Sequence, residues 1–275
     1  ITSFNMVFGG NIPNGAGLSS SAAIENGLVF GLNELFNLNL SKKEMILISQ
    51  KAEHNFALVN CGIMDQFASM FGKKDTALIL DCKTFDSSEF KINFGKYQLL
   101  LINTNVKHSL SESAYNDRRS VCEKAASSVS KESLREVTDE DLNILKTTLS
   151  IEDFEKVLYV SQENSRVQEA SKAITNNDIQ TLGSLLYLSH QGLQHLYKVS
   201  CDELDFLVDF SKNHSEVIGA RMMGGGFGGC TINLIEKNAV PSFSKKVIEA
   251  YSKQFHKECS IYDIVLSEGT HIHKN

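Results

Sequence analysis

The stretch Gly10-Asn11-Ile12-Pro13-Asn14-Gly15-Ala16-Gly17-Leu18-Ser19-Ser20-Ser21-Ala22-Ala23 constrains this chain more than any other. Glycine and proline bar regular structure over its first half, and the serines then open a run with helical spacing. That order describes a loop feeding a helix N-terminus. The amides at such an end lack intrahelical acceptors, and with the helix dipole they favour an anion. The glycines let the backbone approach a phosphate closely, and a serine hydroxyl can take Mg²⁺ beside it. The Lys of the Gly-x4-Gly-Lys-Ser/Thr pattern is absent, so this is not that phosphate loop. A serine-rich helix cap accounts for the same residues, and the loop by itself leaves both readings open.

The 275 residues, 42% of them hydrophobic, suffice for one large or two medium domains. The net charge is −6, and Lys and Arg form no basic tract, which argues against a nucleic-acid partner. The six cysteines (Cys61, Cys82, Cys122, Cys201, Cys230, Cys259) include no Cys-x-x-Cys pair, so neither a zinc site nor a dithiol redox motif is supported. Scattered thiols without a leader pattern suggest a reducing, cytoplasmic setting. No apolar run approaches the ~20 residues that span a bilayer. The chain opens on Ile1, and its first residues read as a strand, so it reads as the C-terminal portion of a longer protein.

Periodicity predicts a strand over residues 1–10, with Phe4, Met6 and Phe8 alternating, and a helix over Ser20 to Phe36 with Ile24, Leu28, Leu32 and Leu35 on one face. Ser41-Lys42-Lys43-Glu44 reads as a capping box opening a helix that runs to about Ala57. A short helix follows over Met64 to Phe71, then strands over Thr76 to Cys82, Phe90 to Phe94 and Tyr97 to Thr104. Helices dominate from Ser109 to Phe210, the longest over Ile151 to Ile174. Strands over Val217 to Met222 and Thr231 to Ile235, a helix near Val240 to Gln254 and a strand near Ile261 to Ser267 complete the chain. Strands before and after a helical middle indicate an α+β fold rather than an alternating doubly wound sheet. The pattern softens near residues 83–96, which divides the chain into domains 1–95 and 96–275.

Three further features invite a chemical reading. In Cys61-Gly62-Ile63-Met64-Asp65-Gln66, a glycine introduces a short helix whose first turn holds Asp65, where a carboxylate is favoured as the anion. In Gly224-Gly225-Gly226-Phe227-Gly228-Gly229, five glycines in six residues exclude a helix or strand interior, and the apolar neighbours Met222, Met223 and Cys230 argue against a loose surface turn. Glu53 could supply a carboxylate to Mg²⁺, or be an ordinary solvated helix glutamate. Tyr115 reads by default as a packing residue.

Taken together, these motifs resemble the GHMP family of small-molecule kinases and, within it, the galactokinases. The loop Pro13 to Ala23 matches the family's phosphate-binding motif, and Gly224 to Cys230 its glycine-rich third motif. The galactokinase-like segments are Cys61 to Gln66, Ala77 to Cys82, Asn105 to Leu110 with Tyr115 and Arg118-Arg119, and Ser200 to Asp205. The resemblance implies a two-domain fold, an N-terminal α+β domain and a ferredoxin-like C-terminal domain with extra helices, with the active site in the cleft between them. It implies that Gly15, Ala16, Gly17, Leu18, Ser19, Ser20 and Ser21 wrap the ATP phosphates, and that Ser21 and Glu53 hold Mg²⁺. Asp65 would be the catalytic carboxylate, and Gly62 and Tyr115 would line the sugar pocket. Gly224, Gly225, Gly226, Gly228 and Gly229 would stabilise the phosphate loop. The implied reaction is phosphorylation of D-galactose at O1 by a monomer, with no nucleic-acid or membrane partner. Other implied readings are a kinase for N-acetylgalactosamine and a non-catalytic galactose sensor. The upstream signature Gly-Arg-x-Asn-x-Ile-Gly-Glu-His-x-Asp-Tyr, which in that family supplies a catalytic Arg and most sugar contacts, does not occur in these residues, which leaves the activity of this chain alone open.

Overall fold

The computed structural model describes residues 2–13, 16–107 and 111–273, without the side chains of residues 107 and 111–115. The chain divides into two compact units, Ile1–Ile92 with Val265–Asn275, and Asn93–Ile264.

The first unit carries helices α1 (Ser20–Phe36), α2 (Lys42–Ala52) and α3 (Met64–Phe71) and the antiparallel hairpin of β1 (Thr76–Leu80) and β2 (Ser87–Lys91). Its core gathers Met45, Ile46, Ile63, Phe67 and Met70, with Val29, Phe30, Leu78 and Leu80 against them. The predicted capping box at α2 is present: Glu44 N–H donates to Ser41 Oγ at 3.2 Å, and Ser41 N–H donates to Glu44 Oε2 at 2.8 Å. The helix does not continue regularly to Ala57. It passes at Glu53 into a π-helical turn, Glu53–Ala57. The last segment returns to this unit, where Gly269 N–H donates to Gly72 O at 2.7 Å and Thr270 N–H to Ser69 O at 2.8 Å.

Three expectations for this unit need correction. Residues 2–10 form no strand, and Val7 is 96% exposed. Alternation supplies a side-chain pattern, but a strand also needs a ladder partner, and among the described residues none pairs with this segment. The packed face of α1 is not the all-apolar one, since Ile24 and Leu35 are exposed while Ala22, Asn26 and Asn33 are buried. The asparagines are used there: Asn26 Nδ2 donates to Gln66 O at 2.9 Å, and Asn33 Oδ1 accepts from Leu40 N–H at 2.8 Å. Finally, β2 sits earlier than Phe90 to Phe94. The turn around Asp81, whose carboxylate accepts from the amides of Lys83 and Thr84, fixes the pairing Leu80↔Ser87.

The second unit runs β3 (Tyr97–Lys107), α4 (Ser111–Ser128), α5 (Asp139–Thr148), α6 (Ile151–Thr175), α7 (Ile179–His195), α8 (Asp202–Lys212), β4 (Val217–Met222), β5 (Gly228–Glu236), α9 (Val240–Phe255) and β6 (Ser260–Asp263). The sheet order is β4-β5-β3-β6, all antiparallel. Removing the extra helices before α8 leaves a β-α-β-β-α-β unit with its first strand between the third and fourth, the ferredoxin-like arrangement. Leu100, Ile102, Leu207, Ile235, Phe243, Val247 and Tyr251 form its core. Helix α7 lies close on β4, where a Cβ on Gly219 would stand 2.5 Å from Gly183 Cα. Strand β5 starts inside the glycine run, because Gly228 and Gly229 adopt φ 123° and 80° and pair onward past a bulge opposite β3. Among the described residues, no helix is long and apolar enough to cross a membrane.

Candidate active site

The first unit brings three of the residues singled out in the sequence into one region: Ser19, Glu53 and Asp65. Ser19 is the N-cap of α1 but does not cap it through its side chain. Its backbone is left-handed (φ 51°, ψ 43°), and its hydroxyl lies near enough to the Asp65 carboxyl to favour that group's charged form. The N–H groups opening α1 therefore find no side-chain acceptor on their own cap residue, as suits a helix end that takes an anion. Gly17 reaches φ 70°, which glycine adopts without strain, and Ala16 is fully buried. Leu18 and Ser20 are half-buried and Ser21 is exposed. Gly15 lies outside the described residues.

Asp65 stands in the first turn of α3 and is half-buried. Burial, and secondarily the charge of Glu53, hold its carboxyl above the usual aspartate range, while the Ser19 hydroxyl pulls it partly back. Exposed Gly62 precedes it by three residues, on the approach to the helix. Glu53 opens the π-turn, the kind of helix irregularity that recurs at functional sites.

Two further residues belong here that the motif reading did not single out. Glu25 meets Glu53, and burial followed by Glu53's charge pushes its carboxyl up. Gln66, buried at 2% exposure, donates from Nε2 to Glu25 Oε2 at 3.4 Å. Glu25 follows Ser21 by four residues, one helical turn along α1, and that spacing was the available signal. Gln50 Nε2 donates to Cys61 O at 3.1 Å, and His54 Nε2 lies 2.9 Å from the same oxygen, which ties the end of α2 to the approach to α3. Burial raises the Cys61 thiol, with Glu53 adding to it, so this cysteine is kept from the reactive thiolate form.

Among the described residues no group of three or more His, Cys, Asp or Glu could hold a metal ion. A hydroxyl at Ser21 with one or two carboxylates fits a hard cation that completes its shell with water and phosphate oxygens. The crowding of Glu25 and Glu53, which raises Glu25, is likewise what a divalent cation would relieve.

The glycine run and Tyr115 lie in the second unit. Tyr115 falls within α4, and its side chain is outside the described residues. The glycine run is a tight hairpin rather than a loose turn: Met223 N–H donates to Cys230 O at 2.9 Å, and Gly224 and Gly226 adopt φ 76° and 89°. Residues 108–110 of the segment Asn105 to Leu110 lie outside the described residues.

A glycine-rich loop at a helix end without a side-chain cap, an acidic residue near it, and a ferredoxin-like unit with a glycine hairpin are features of a small-molecule kinase. Residues 2–73 match the family model for the GHMP kinases N terminal domain, and residues 170–253 that for the GHMP kinases C terminal. The galactokinase of Thermosipho africanus is 46% identical over 259 residues, which cover 94% of this chain and 73% of the relative. That of Clostridium beijerinckii is 42% identical over 272 residues, 97% of this chain and 70% of the relative. The structure of Lactococcus lactis galactokinase complexed with galactose superposes with a TM-score of 0.90 at 34% identity, covering 94% of this chain and 68% of that one. The L. major mevalonate kinase structure, at TM-score 0.61 and 19% identity, shares the fold. The chain belongs to the galactokinase family of the GHMP kinases.

Proposed function

We propose that this protein transfers the γ-phosphoryl group of ATP to O1 of D-galactose, giving galactose 1-phosphate and ADP. The observation that carries the reading is the closeness of Ser19, the N-cap of α1, to the Asp65 carboxyl, whose charged form its hydroxyl favours. That closeness joins the start of the phosphate-loop helix to the carboxylate best placed to receive an acceptor hydroxyl's proton. The relatives in the family are galactokinases, and one of them was solved with galactose.

Residues 15–21 cradle the ATP phosphates with backbone amides. Ser21 and Glu53 would hold Mg²⁺, which would supply charge neutralisation at the phosphates. Phosphoryl transfer depends on position and charge far more than on covalent help from the protein. The galactose O1 oxygen bonds to the γ-phosphorus as the bond to the β,γ-bridging oxygen breaks. Asp65 orients the hydroxyl and accepts its proton as the new bond forms. Gly62 and Tyr115 contribute to sugar binding, and residues 224–229 to the use of Mg-ATP. The first unit thus serves as the nucleotide-binding domain and the second as the C-terminal kinase domain. All six cysteines are free, which is consistent with a cytoplasmic enzyme, and we read it as a monomer.

ADP release with Mg-ATP and a panel of galactose, N-acetylgalactosamine, glucose and mevalonate tests this reading. Galactose-selective turnover is expected. Galactose binding without ADP release would replace the kinase by a sensor, and equal turnover of N-acetylgalactosamine would move the substrate assignment.

A further inference from the structure

The glycine hairpin of the second unit leans on a neighbour. Phe227 N–H donates to Val199 O at 2.7 Å, and a Cβ built on Gly226 would stand 2.0 Å from that same oxygen. Val199 therefore forms a wall for the hairpin, and the hairpin's shape depends on where that carbonyl is held. The wall belongs to the turn between α7 and α8, in which Lys198 adopts φ 53° and Val199 N–H returns to Leu193 O at 3.0 Å.

Arg118, on α4 and 9% exposed, reaches both sides of this contact. Its Nε donates to Tyr197 O and its Nη2 to Lys198 O, each at 2.7 Å. Its guanidinium lies 5.8 Å from the Tyr197 ring centre and 5.6 Å from that of Phe227. One side chain thus holds two successive carbonyls of the wall and the aromatic face of the hairpin's only non-glycine residue. A guanidinium suits this, because its donors sit in a rigid fork, its charge shortens both bonds, and its plane tolerates aromatic neighbours. Lysine offers a single compact charge in the same place. The far end of the turn is held too. Ser200 Oγ donates to Asp205 Oδ1, and that carboxylate lies 3.3 Å from His190 Nε2, whose Nδ1 accepts from Met222 N–H at 3.2 Å, where β4 ends before the hairpin.

We propose that Arg118 is a positioning residue for the glycine hairpin. It fixes the Tyr197–Val199 turn and Phe227 in one arrangement, so that residues 224–229 keep the shape that Mg-ATP use requires. The second half of this statement rests on the kinase reading above, and the first half does not.

Hydrogen exchange resolved over residues 222–230, steady-state kinetics, and galactose binding measured without nucleotide test it on the protein and on Arg118→Met and Arg118→Lys. In Arg118→Met we expect exchange at 224–229 about tenfold faster and a KM for Mg-ATP about tenfold higher, with galactose affinity within about twofold of the starting value. Arg118→Lys should fall between. Should Arg118→Met fail to fold, Arg118→Lys and Phe227→Leu carry the same comparison. Exchange at the original rate in folded variants overturns the positioning role. Faster exchange with unaltered Mg-ATP kinetics overturns its catalytic consequence. An equal rise in the galactose and Mg-ATP KM values, tracking a loss of global stability, reduces Arg118 to a structural residue. Absence of Mg-ATP turnover in the unsubstituted protein overturns the kinase reading instead, while the exchange data still decide the positioning role.

Discussion

Asp65 sets a chemical need against a folding cost. Burial and the nearby Glu53 charge both disfavour its ionised form, so its carboxyl titrates above the ordinary value of 3.8. The native state then holds that proton over a pH range where the unfolded chain has lost it. The penalty on the folded state accordingly grows as pH rises out of the acid range. Asp65→Asn should therefore be more stable than the unsubstituted protein in urea unfolding at pH 7, with the difference shrinking as pH falls toward 3.8. An Asn variant less stable at every pH would show that the favourable contacts of the carboxylate, that with Ser19 among them, outweigh the burial penalty. The same substitution should cut turnover by at least ~10² while ATP still binds, and near-normal turnover would remove Asp65 from its role. Ser21→Ala should raise the Mg-ATP requirement more than it changes galactose binding, read from KM values for each substrate. Unchanged Mg-ATP kinetics would count against Ser21 as a cation ligand.

At the scale of elements, helix ends were readable wherever a residue acts on its own backbone. The Ser41–Glu44 box sits where the sequence puts it, since both partners lie within one turn. Ser41→Ala should lower unfolding stability by about 1 kcal/mol, and a change near zero would mean the exposed box contributes nothing measurable. The face of α1 was not readable, because periodicity weighs Ile24 and Leu35 as apolar and cannot know that Gln66 O waits for Asn26, 40 residues away. The π-turn at Glu53 was likewise missed, as no local residue type announces it. The glycine hairpin lies between these cases. Its composition demands an unusual backbone, yet only the neighbour Val199 says which one. Gly226→Ala must relieve both φ 89° and an impossible contact, and should open the hairpin to exchange as Arg118→Met does, more severely.

For the whole molecule, a single boundary near residue 95 describes the sequence pattern, but the chain's path is less simple, since residues from Val265 onward pack with the first unit. The docking is close: a Cβ on Gly269 would stand 2.7 Å from Met70 O and 2.8 Å from Gly72 N. Gly269→Ala should expose 265–273 to limited proteolysis at protease levels that leave the unsubstituted protein intact, and equal resistance would mean the backbone there yields without cost. What the sequence determined alone is the set of properties carried by neighbouring residues: the serine-led start of α1, the helix caps, most element limits, and the order of the kinase motifs. The tertiary structure decided which side chains meet. The meetings of Ser19 with Asp65, of Glu25 with Glu53, and of Arg118 with the 197–199 turn all join separate elements. Local backbone preference is written in a few adjacent residues, whereas a contact across 40 or 80 residues is settled by how whole elements bury their surfaces.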